Sequence, residues 1–126
     1  MTDEHFFEPR LFEIWLVRFR FEENPKKYTV RPALVIQERG GKAFALMLRV
    51  TKNVKRQAEY DVILDDWHEA GLRLPSVVRC DKMMAVDESD VDWEESKWGR
   101  LTPHDAMRVV EMLHHMHNDD VVVKPF

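Results

Sequence analysis

Residues 102–118 read TPHDAMRVVEMLHHMHN and form the clearest helix pattern of the chain. Thr102 is a favourable N-cap residue, Pro103 suits the first helical position, and Asp105 occupies the position of a capping-box acid. The apolar residues that follow recur at helical spacing and form one stripe: Ala106, Val109, Val110, Leu113 and Met116. We therefore predict one C-terminal amphipathic helix that ends at Asn118.

Upstream of this helix, the chain consists of short β-forming runs separated by turn signals. We predict strands at residues 13–19, 33–36, 43–50, 60–64 and 76–81, with residues 82–86 as a continuation or a further strand. Every second residue from 44 to 50 is apolar, which predicts one apolar face for the third strand. Gly40-Gly41 indicates a hairpin, and residues 65–71 indicate a helical turn. Short strands followed by one helix predict a mainly β (α+β) fold, a small barrel or rolled sheet with the helix packed against it.

Length and composition indicate one domain, residues 1–126, with residues 1–12 as a leader and 118–126 as a tail. The net charge of −4 excludes a globally basic nucleic-acid binder. The charge is unevenly distributed, however. Residues 18–56 hold eleven basic and three acidic side chains, whereas residues 83–126 hold four basic and ten acidic ones. A polyanion could therefore bind one face of the protein.

The sequence favours a cytoplasmic protein with no membrane segment. Its longest uninterrupted apolar run, residues 43–48, is too short to cross a bilayer, and its acidic, polar N-terminus does not resemble a secretory signal. Cys80 is the only cysteine, which excludes an intrachain disulfide. Its place between Arg79 and Asp81 on a strand predicts that it points into the core.

Arg79 and Asp81 are the most informative pair of residues. Strand residues two apart project from the same face, so a guanidinium and a carboxylate would stand side by side. Asp81 could accept a proton from a hydroxyl, and Arg79 could stabilise charge on a phosphate. Arg31, before Pro32, and Thr51, at a strand end, would suit phosphate binding. The alternatives are a structural salt bridge for the pair and solvated strand ends for the others.

The histidines are a weaker signal. His114 and His117 share a helix face with spacing that suggests metal ligands, but together with His115 they do not form one tight set. His68 could act as a general acid or base, although a surface histidine is the simpler interpretation. We predict neither a metal site nor a cofactor.

Five segments in this order, residues 13–17, 31–36, 50–51, 77–81 and 99–101, resemble the MazF/PemK family, which includes Kid. These proteins are the toxins of type II toxin–antitoxin modules. The resemblance covers about residues 13–117. It implies an SH3-like β-barrel with a C-terminal helix, a homodimer, and a cognate antitoxin as partner. It also implies a metal-independent endoribonuclease that cuts single-stranded RNA at short sequences through the RNA's own 2′-hydroxyl.

The same resemblance implies residue roles. Asp81 would be the base, Arg79 the acid or charge stabiliser, and Arg31 the ligand of the scissile phosphate. Because guanidinium rarely releases a proton, we prefer charge stabilisation for Arg79. The RNA-binding residues would be Thr51, Lys52, Lys55 and Tyr60. The loop at residues 20–30 lacks the histidine that some family members have there, so nothing in the sequence assigns the third catalytic role.

Two other functions fit the same fold. One is a non-catalytic module that binds RNA or protein, and Asp81→Asn would separate it from an enzyme. The other is a gyrase-inhibiting toxin, which would act through the C-terminal helix and the residues after it, so that removal of residues 118–126 would abolish toxicity. An apolar surplus supports the expected homodimer and comprises Phe6, Phe7, Trp93 and Trp98.

Overall fold

The structure, a computed structural model, describes residues 10–38, 43–55, 58–91 and 97–126. The elements within these ranges are β1 (Glu13–Arg20), β2 (Tyr28–Glu38), β3 (Ala43–Thr51), β4 (Asp61–Ile63), β5 (Val77–Asp87), β6 (Lys97–Arg100) and α1 (Pro103–Asn118). The strands form one antiparallel sheet in the order β4-β5-β3-β2-β1-β6. The predicted fold class, a small curled β-sheet with one C-terminal helix, is confirmed.

The sheet curls because the chain after β5 returns to β1. Val91, four residues beyond the end of β5, forms an isolated antiparallel bridge with Val17 of β1. β1 and β5 are separated by two other strands in the sheet, so this bridge bends the sheet into a half-barrel. The curl covers one face of the sheet, and α1 covers the other.

The apolar side chains form two cores, one on each face. The core on the side of α1, the helix-side core, consists of Ile14, Leu34, Leu48, Val50, Val62, Leu64, Ala70, Leu72, Val78, Cys80, Leu101, Ala106, Val109 and Met116. The core on the opposite face, the far-side core, consists of Trp15, Val17, Ala33, Val35, Ala45, Met47, Val86 and Val91. Side chains alternate between the two cores along β1, β2 and β3, as the pleat of a strand requires.

The third strand has a second buried face beside the predicted apolar one. Ala45 and Met47 are fully buried in the far-side core, whereas Leu48 and Val50 enter the helix-side core and Leu46 is half-buried. The reason is that the curled sheet encloses its own far face, so the central strands are buried on both faces. The side chain of residue 44 lies outside the described part of the structure.

A bulge in β5 reverses the alternation of that strand. Leu48 and Arg49 are consecutive in β3, but they pair with Met83 and Arg79 of β5. Residues 80–82 therefore have no partner in β3. Because three extra residues are an odd number, even-numbered residues of β5 face the helix-side core before the bulge and the far-side core after it.

The helix ends are placed as predicted, but one capping contact differs. Thr102 Oγ1 accepts the backbone N–H of Asp105 at 3.4 Å, and α1 ends at Asn118. The Asp105 carboxylate does not complete a capping box. It is fully buried and accepts the backbone N–H groups of Asp65 at 3.2 Å and Asp66 at 2.7 Å, because the loop before β5 packs directly on the start of α1.

The predicted helical turn at residues 65–71 is a hydrogen-bonded turn. The N–H of Ala70 donates to the carbonyl of Asp66 at 2.9 Å, and Gly71 has a φ of 92°, which favours glycine. Gly99 of β6 approaches the Ala70 carbonyl so closely that a Cβ would collide with it. This contact holds the turn against the edge of the sheet.

The tail after α1 joins the sheet. Lys124 forms a parallel bridge with Lys82: its N–H donates to the carbonyl of Asp81 and its carbonyl accepts the N–H of Met83, both at 2.8 Å. The ring of Phe126 stacks on Phe19, with centroids 4.9 Å apart, and packs against the far-side core. The tail therefore attaches to β5 through one isolated bridge, at Lys124.

Several predictions fall on residues that the structure does not describe. They concern Gly40, Gly41, Phe6, Phe7, Trp93 and the side chain of Trp98. Among the described residues, α1 is too short and too polar to span a bilayer, and no other helix qualifies.

Candidate functional site

Three arginine side chains from neighbouring strands meet on the far face of the sheet. Arg49 of β3 pairs directly with Arg79 of β5 on one side and with Ala33 of β2 on the other. Arg31 lies two residues before Ala33 on β2 and therefore projects from the same face. We call Arg31, Arg49 and Arg79 the arginine cluster. It continues the face of the far-side core, where Ala33 and Met47 are buried.

The guanidinium groups of the arginine cluster have no protein partners among the described residues. Arg31 is exposed, and Arg49 and Arg79 are half-buried. The Nε atoms of Arg49 and Arg79 are buried, and neither donates a hydrogen bond. Buried N–H donors almost always have a partner, and an unsatisfied donor costs free energy. Within the described part of the structure, these two donors are therefore left without an acceptor.

Electrostatic repulsion accompanies this arrangement. Burial lowers the pKa of the Arg49 guanidinium, and the positive charges of Arg31 and Arg79 lower it further. This repulsion agrees with the strand register, which puts the three side chains on one face of neighbouring strands. An anion bound there would relieve the repulsion.

Asp61 is the carboxylate directly opposite Arg79 in the sheet. It pairs with Arg79 across β4 and β5, and directly paired residues project from the same face. Asp61 Oδ2 accepts the backbone N–H of Ala58 at 2.9 Å, while Oδ1 is buried and accepts no hydrogen bond. A row of one carboxylate and two guanidinium groups thus crosses three strands.

Asp81 lies in the bulge of β5 rather than in regular strand. It is half-buried, and among the described residues no hydrogen bond or ion pair joins it to Arg79. Its negative charge acts on Tyr60 and on Cys80, and its backbone carbonyl accepts the N–H of Lys124. The structural salt bridge weighed as the alternative is therefore not formed. The rule of two-residue alternation that led to the pair describes a regular strand and does not apply within this bulge.

The other predicted RNA-binding residues fall in two places. Thr51 ends β3 opposite Val77, and its Oγ1 accepts the N–H of Asn53 at 3.3 Å. Lys52 and Lys55 follow in the next turn and are exposed. Thr51 is two residues from Arg49 on the same strand, so the chain leads from the arginine cluster directly to these two cations.

Tyr60 lies on the other side of the sheet. It packs against the helix-side core, and its ring centroid is 6.3 Å from that of His115. Burial raises the pKa of the Tyr60 hydroxyl, and the charges of Glu59, Asp119 and Asp81 raise it further. The structure therefore brings Tyr60 near Asp81 but does not bring it to the arginine cluster.

The remaining chemical candidates are Cys80, His68 and the histidines of α1. Cys80 is fully buried, and burial raises the pKa of its thiol to about 12, so it is no nucleophile at neutral pH. His68 is exposed, and its ring lies edge-on to Trp67. Among the described residues, one group has ligand atoms close enough to hold a metal ion: Asp65, His104 and Asp105. Backbone N–H groups and Arg108 already occupy the Asp105 carboxylate. The helix histidines do not belong to this group.

A shallow cleft of about 290 Å³ opens between β4 and α1. Its lining residues are Asp61, Val62, Arg108, Glu111, Met112 and His115. None of the three clustered arginines lines it, so the cleft and the arginine cluster are separate features that share Asp61.

Sequence reasoning missed Arg49 and Asp61 as site residues. Arg49 was visible only as one of eleven cations in residues 18–56, and Asp61 as the start of a short strand. The alternation of β3 places Arg49 on the face of Met47, which the sequence prediction did not describe and which is buried. Only the cross-strand register, which links residues 49, 61 and 79, identifies the two side chains as neighbours.

Comparisons with known proteins agree with this architecture. One solved structure, described as "Mycobacterium tuberculosis toxin MazF-mt6", has a TM-score of 0.60 and 20% sequence identity, and the match covers 82% of this chain and 96% of that one. A second, described as "Endoribonuclease in complex with its cognate antitoxin from Mycobacterial species", has a TM-score of 0.61 and 16% identity, and covers 88% of this chain and 96% of that one. At such identities the likeness shows a shared fold.

A search of curated protein sequences found no match. A protein-family comparison matches residues 10–117, from the turn before β1 to the last turn of α1. That range contains the whole sheet and the arginine cluster. It also contains the carboxylates of Asp61, opposite Arg79, and of Asp81, in the bulge of β5. The chain therefore belongs to the PemK-like, MazF-like toxins of type II toxin–antitoxin systems.

Proposed function

We propose that this toxin is a metal-independent endoribonuclease that cleaves single-stranded RNA at preferred sequences. The observation that carries the proposal is the row of buried, unpartnered guanidinium donors on the far face of the sheet. Arginine binds phosphate through paired N–H donors, and it stabilises the negative charge that develops on phosphorus during cleavage. Membership of the toxin family and the likeness to a mycobacterial endoribonuclease support the same activity.

The proposed reaction uses the RNA as its own nucleophile. Asp81 takes the proton of a ribose 2′-hydroxyl, and the resulting oxygen attacks the adjacent phosphorus. Arg79 and Arg31 bind the phosphate oxygens as negative charge accumulates. The bond from phosphorus to the 5′-oxygen breaks, and that oxygen takes a proton from water. The products are a 2′,3′-cyclic phosphate and a 5′-hydroxyl, and no nucleophile from the protein is needed.

The RNA-binding surface would extend from the arginine cluster along the end of β3. Thr51 offers a hydroxyl, and Lys52 and Lys55 offer exposed charges beside it. Tyr60 lies on the helix side, so a role for it in binding requires that the RNA pass over the edge of β4.

The test is incubation of the purified protein with mixed-sequence single-stranded RNA in the presence of EDTA. We expect fragments with cyclic phosphate and 5′-hydroxyl ends. Asp81→Asn should lower the cleavage rate by about 10²- to 10⁴-fold, as expected for loss of a general base, and should leave RNA affinity intact. Folded protein that cleaves no sequence would exclude the enzyme and favour a binding module.

Asp61→Asn is the matched variant, because it makes the same change in the carboxylate opposite Arg79. We expect it to retain cleavage within about tenfold of the unsubstituted rate. The reverse result, with cleavage lost in Asp61→Asn and kept in Asp81→Asn, would move the role of base to Asp61.

The proposed partners follow from the same assignment. A cognate antitoxin would inhibit the enzyme by placing an acidic or apolar segment over the RNA-binding surface, in a cytoplasmic complex with a toxin homodimer. A similar solved structure, an endoribonuclease in complex with its cognate antitoxin, supports this partner. Co-expression with the product of the neighbouring reading frame should abolish cleavage. A sedimentation mass of 15.1 kDa at micromolar concentration would contradict the homodimer.

A further inference from the structure

We propose that Arg49 is a third phosphate ligand of this toxin, and that Arg31, Arg49 and Arg79 together bind one phosphate group of the RNA. The inference deepens the proposed function and depends on it in one respect, that RNA supplies the phosphate. The starting point is position: Arg49 lies between the strands that carry the other two arginines and pairs directly with Arg79.

The Arg49 guanidinium has an N–H donor that no acceptor of the described protein satisfies. Its Nε is buried without an acceptor, like that of Arg79 across the strand pair. No described carboxylate lies within ion-pair distance of either guanidinium. Two other arginines do have such partners: Arg20 pairs with Asp90 at 2.9 Å, and Arg108 pairs with Asp105 at 2.8 Å. Among the described arginines, only Arg49 and Arg79 have a buried Nε without an acceptor.

The charge of the arginine cluster and its neighbour Asp61 favours an anion. Three guanidinium groups and one carboxylate have a formal net charge of +2. Held close together on a sheet, the like charges repel one another, and Arg49 experiences both neighbours as well as burial. An arginine retained only for packing would stabilise the fold. Repulsion from Arg31 and Arg79 opposes that stabilisation in the unliganded protein, and a bound anion would relieve the repulsion.

Two variants isolate this role. Arg49→Gln removes the charge, and Arg49→Lys keeps the charge but removes the planar, two-pronged donor geometry. Arg20→Gln is the matched control, because it removes one charge from the opposite face of the sheet, at an exposed position on β1. Asp61→Asn is a control of opposite sign, since it removes a negative charge from the same row.

The first measurement is the affinity for a single-stranded 2′-O-methyl oligoribonucleotide, which lacks the attacking hydroxyl and so stays intact. We expect Arg49→Gln to weaken binding by about tenfold or more, as for loss of a hydrogen bond between charged groups. The slope of log K against log salt should fall by about 0.7, the value for one phosphate contact on a single strand. Arg49→Lys should weaken binding while keeping most of the slope. Arg20→Gln should change neither quantity, and Asp61→Asn should tighten binding.

The second measurement uses inorganic phosphate in place of RNA, with chloride as the reference anion at equal ionic strength. Phosphate should raise the melting temperature of the unsubstituted protein and should do so much less in Arg49→Gln. In chloride alone, Arg49→Gln should melt at or above the temperature of the unsubstituted protein, because the repulsion is relieved. A purely structural Arg49 would give the opposite result, a lower melting temperature with unchanged phosphate response, and would overturn the inference.

The two measurements, together with the cleavage assay, distinguish the phosphate-binding role of Arg49 from the proposed activity. Phosphate binding that depends on Arg49 in a protein that cleaves no RNA would refute the enzyme and keep the anion site. Cleavage with full RNA affinity in Arg49→Gln would keep the enzyme and refute the role of Arg49.

Discussion

Asp105→Asn should destabilise the fold severely, because the Asp105 carboxylate is fully buried and holds two parts of the chain together. It accepts the backbone N–H groups of Asp65 and Asp66 at 3.2 and 2.7 Å, and the Arg108 guanidinium at 2.8 Å. An amide has one acceptor oxygen and presents N–H donors where the second oxygen stood. At least one backbone donor and the Arg108 charge would then lack a proper acceptor. Breaking a buried ion pair in this way costs about 3–5 kcal/mol.

Urea unfolding followed by tryptophan fluorescence, together with a thermal melt, would measure the effect. For a chain of this size, the expected loss corresponds to a fall in melting temperature of about 10–20 °C, with an unchanged urea m-value. Glu111→Gln, an exposed change on the same helix, should stay within about 0.5 kcal/mol of the unsubstituted protein. A loss below about 1 kcal/mol in Asp105→Asn would refute the view that this carboxylate fixes the loop to α1.

Three further outcomes are expected. Because burial raises the pKa of the Cys80 thiol to about 12, a thiol reagent at pH 8 should leave the folded protein unmodified and label it fully in denaturant; rapid labelling of the native state would contradict the burial. Phe126→Ala should cost about 1–2 kcal/mol by urea unfolding, because it removes a half-buried ring stacked on Phe19, and an unchanged midpoint would mean that the stacking contributes nothing. The hydrogen bond to Asp65 raises the pKa of His104 above 6.5. The pair therefore stabilises the fold fully below pH 6.5, and less as the pH rises through that raised pKa. An NMR titration midpoint for His104 at or below 6.5 would contradict the raised pKa.

The elements that could be predicted from the sequence are those specified by local chemistry. Thr102 and Pro103 define the start of α1, and Asn118 its end, because capping depends on side chains within one turn of the helix terminus. The first strand follows from its β-forming residues alone and differs from the observed bounds by one residue. The burial of Cys80 follows from its place between two charged residues.

The features that could not be predicted depend on contacts between distant strands. The residues paired with Arg49 are 16 and 30 positions away in the sequence, and nothing in the local pattern of β3 indicates them. Ala45 and Met47 are buried because the sheet curls, which depends on the bridge from Val91 to Val17. The bulge in β5 likewise comes from pairing register, and it limits any argument from alternation that extends from Arg79 to later residues.

The way in which the last six residues are attached changes how the gyrase hypothesis can be tested. Lys124 contributes two backbone hydrogen bonds to the strand that carries Arg79 and Asp81, and Phe126 fills a place in the far-side core. Truncation of this segment would therefore perturb the proposed catalytic residues and the folding equilibrium together, so loss of toxicity would not identify a target. Val122 is 79% exposed, and a charged substitution there alters only what a docking protein would touch. Such a variant leaves the sheet undisturbed. If it still arrests growth, inhibition of gyrase through the C-terminal residues is contradicted.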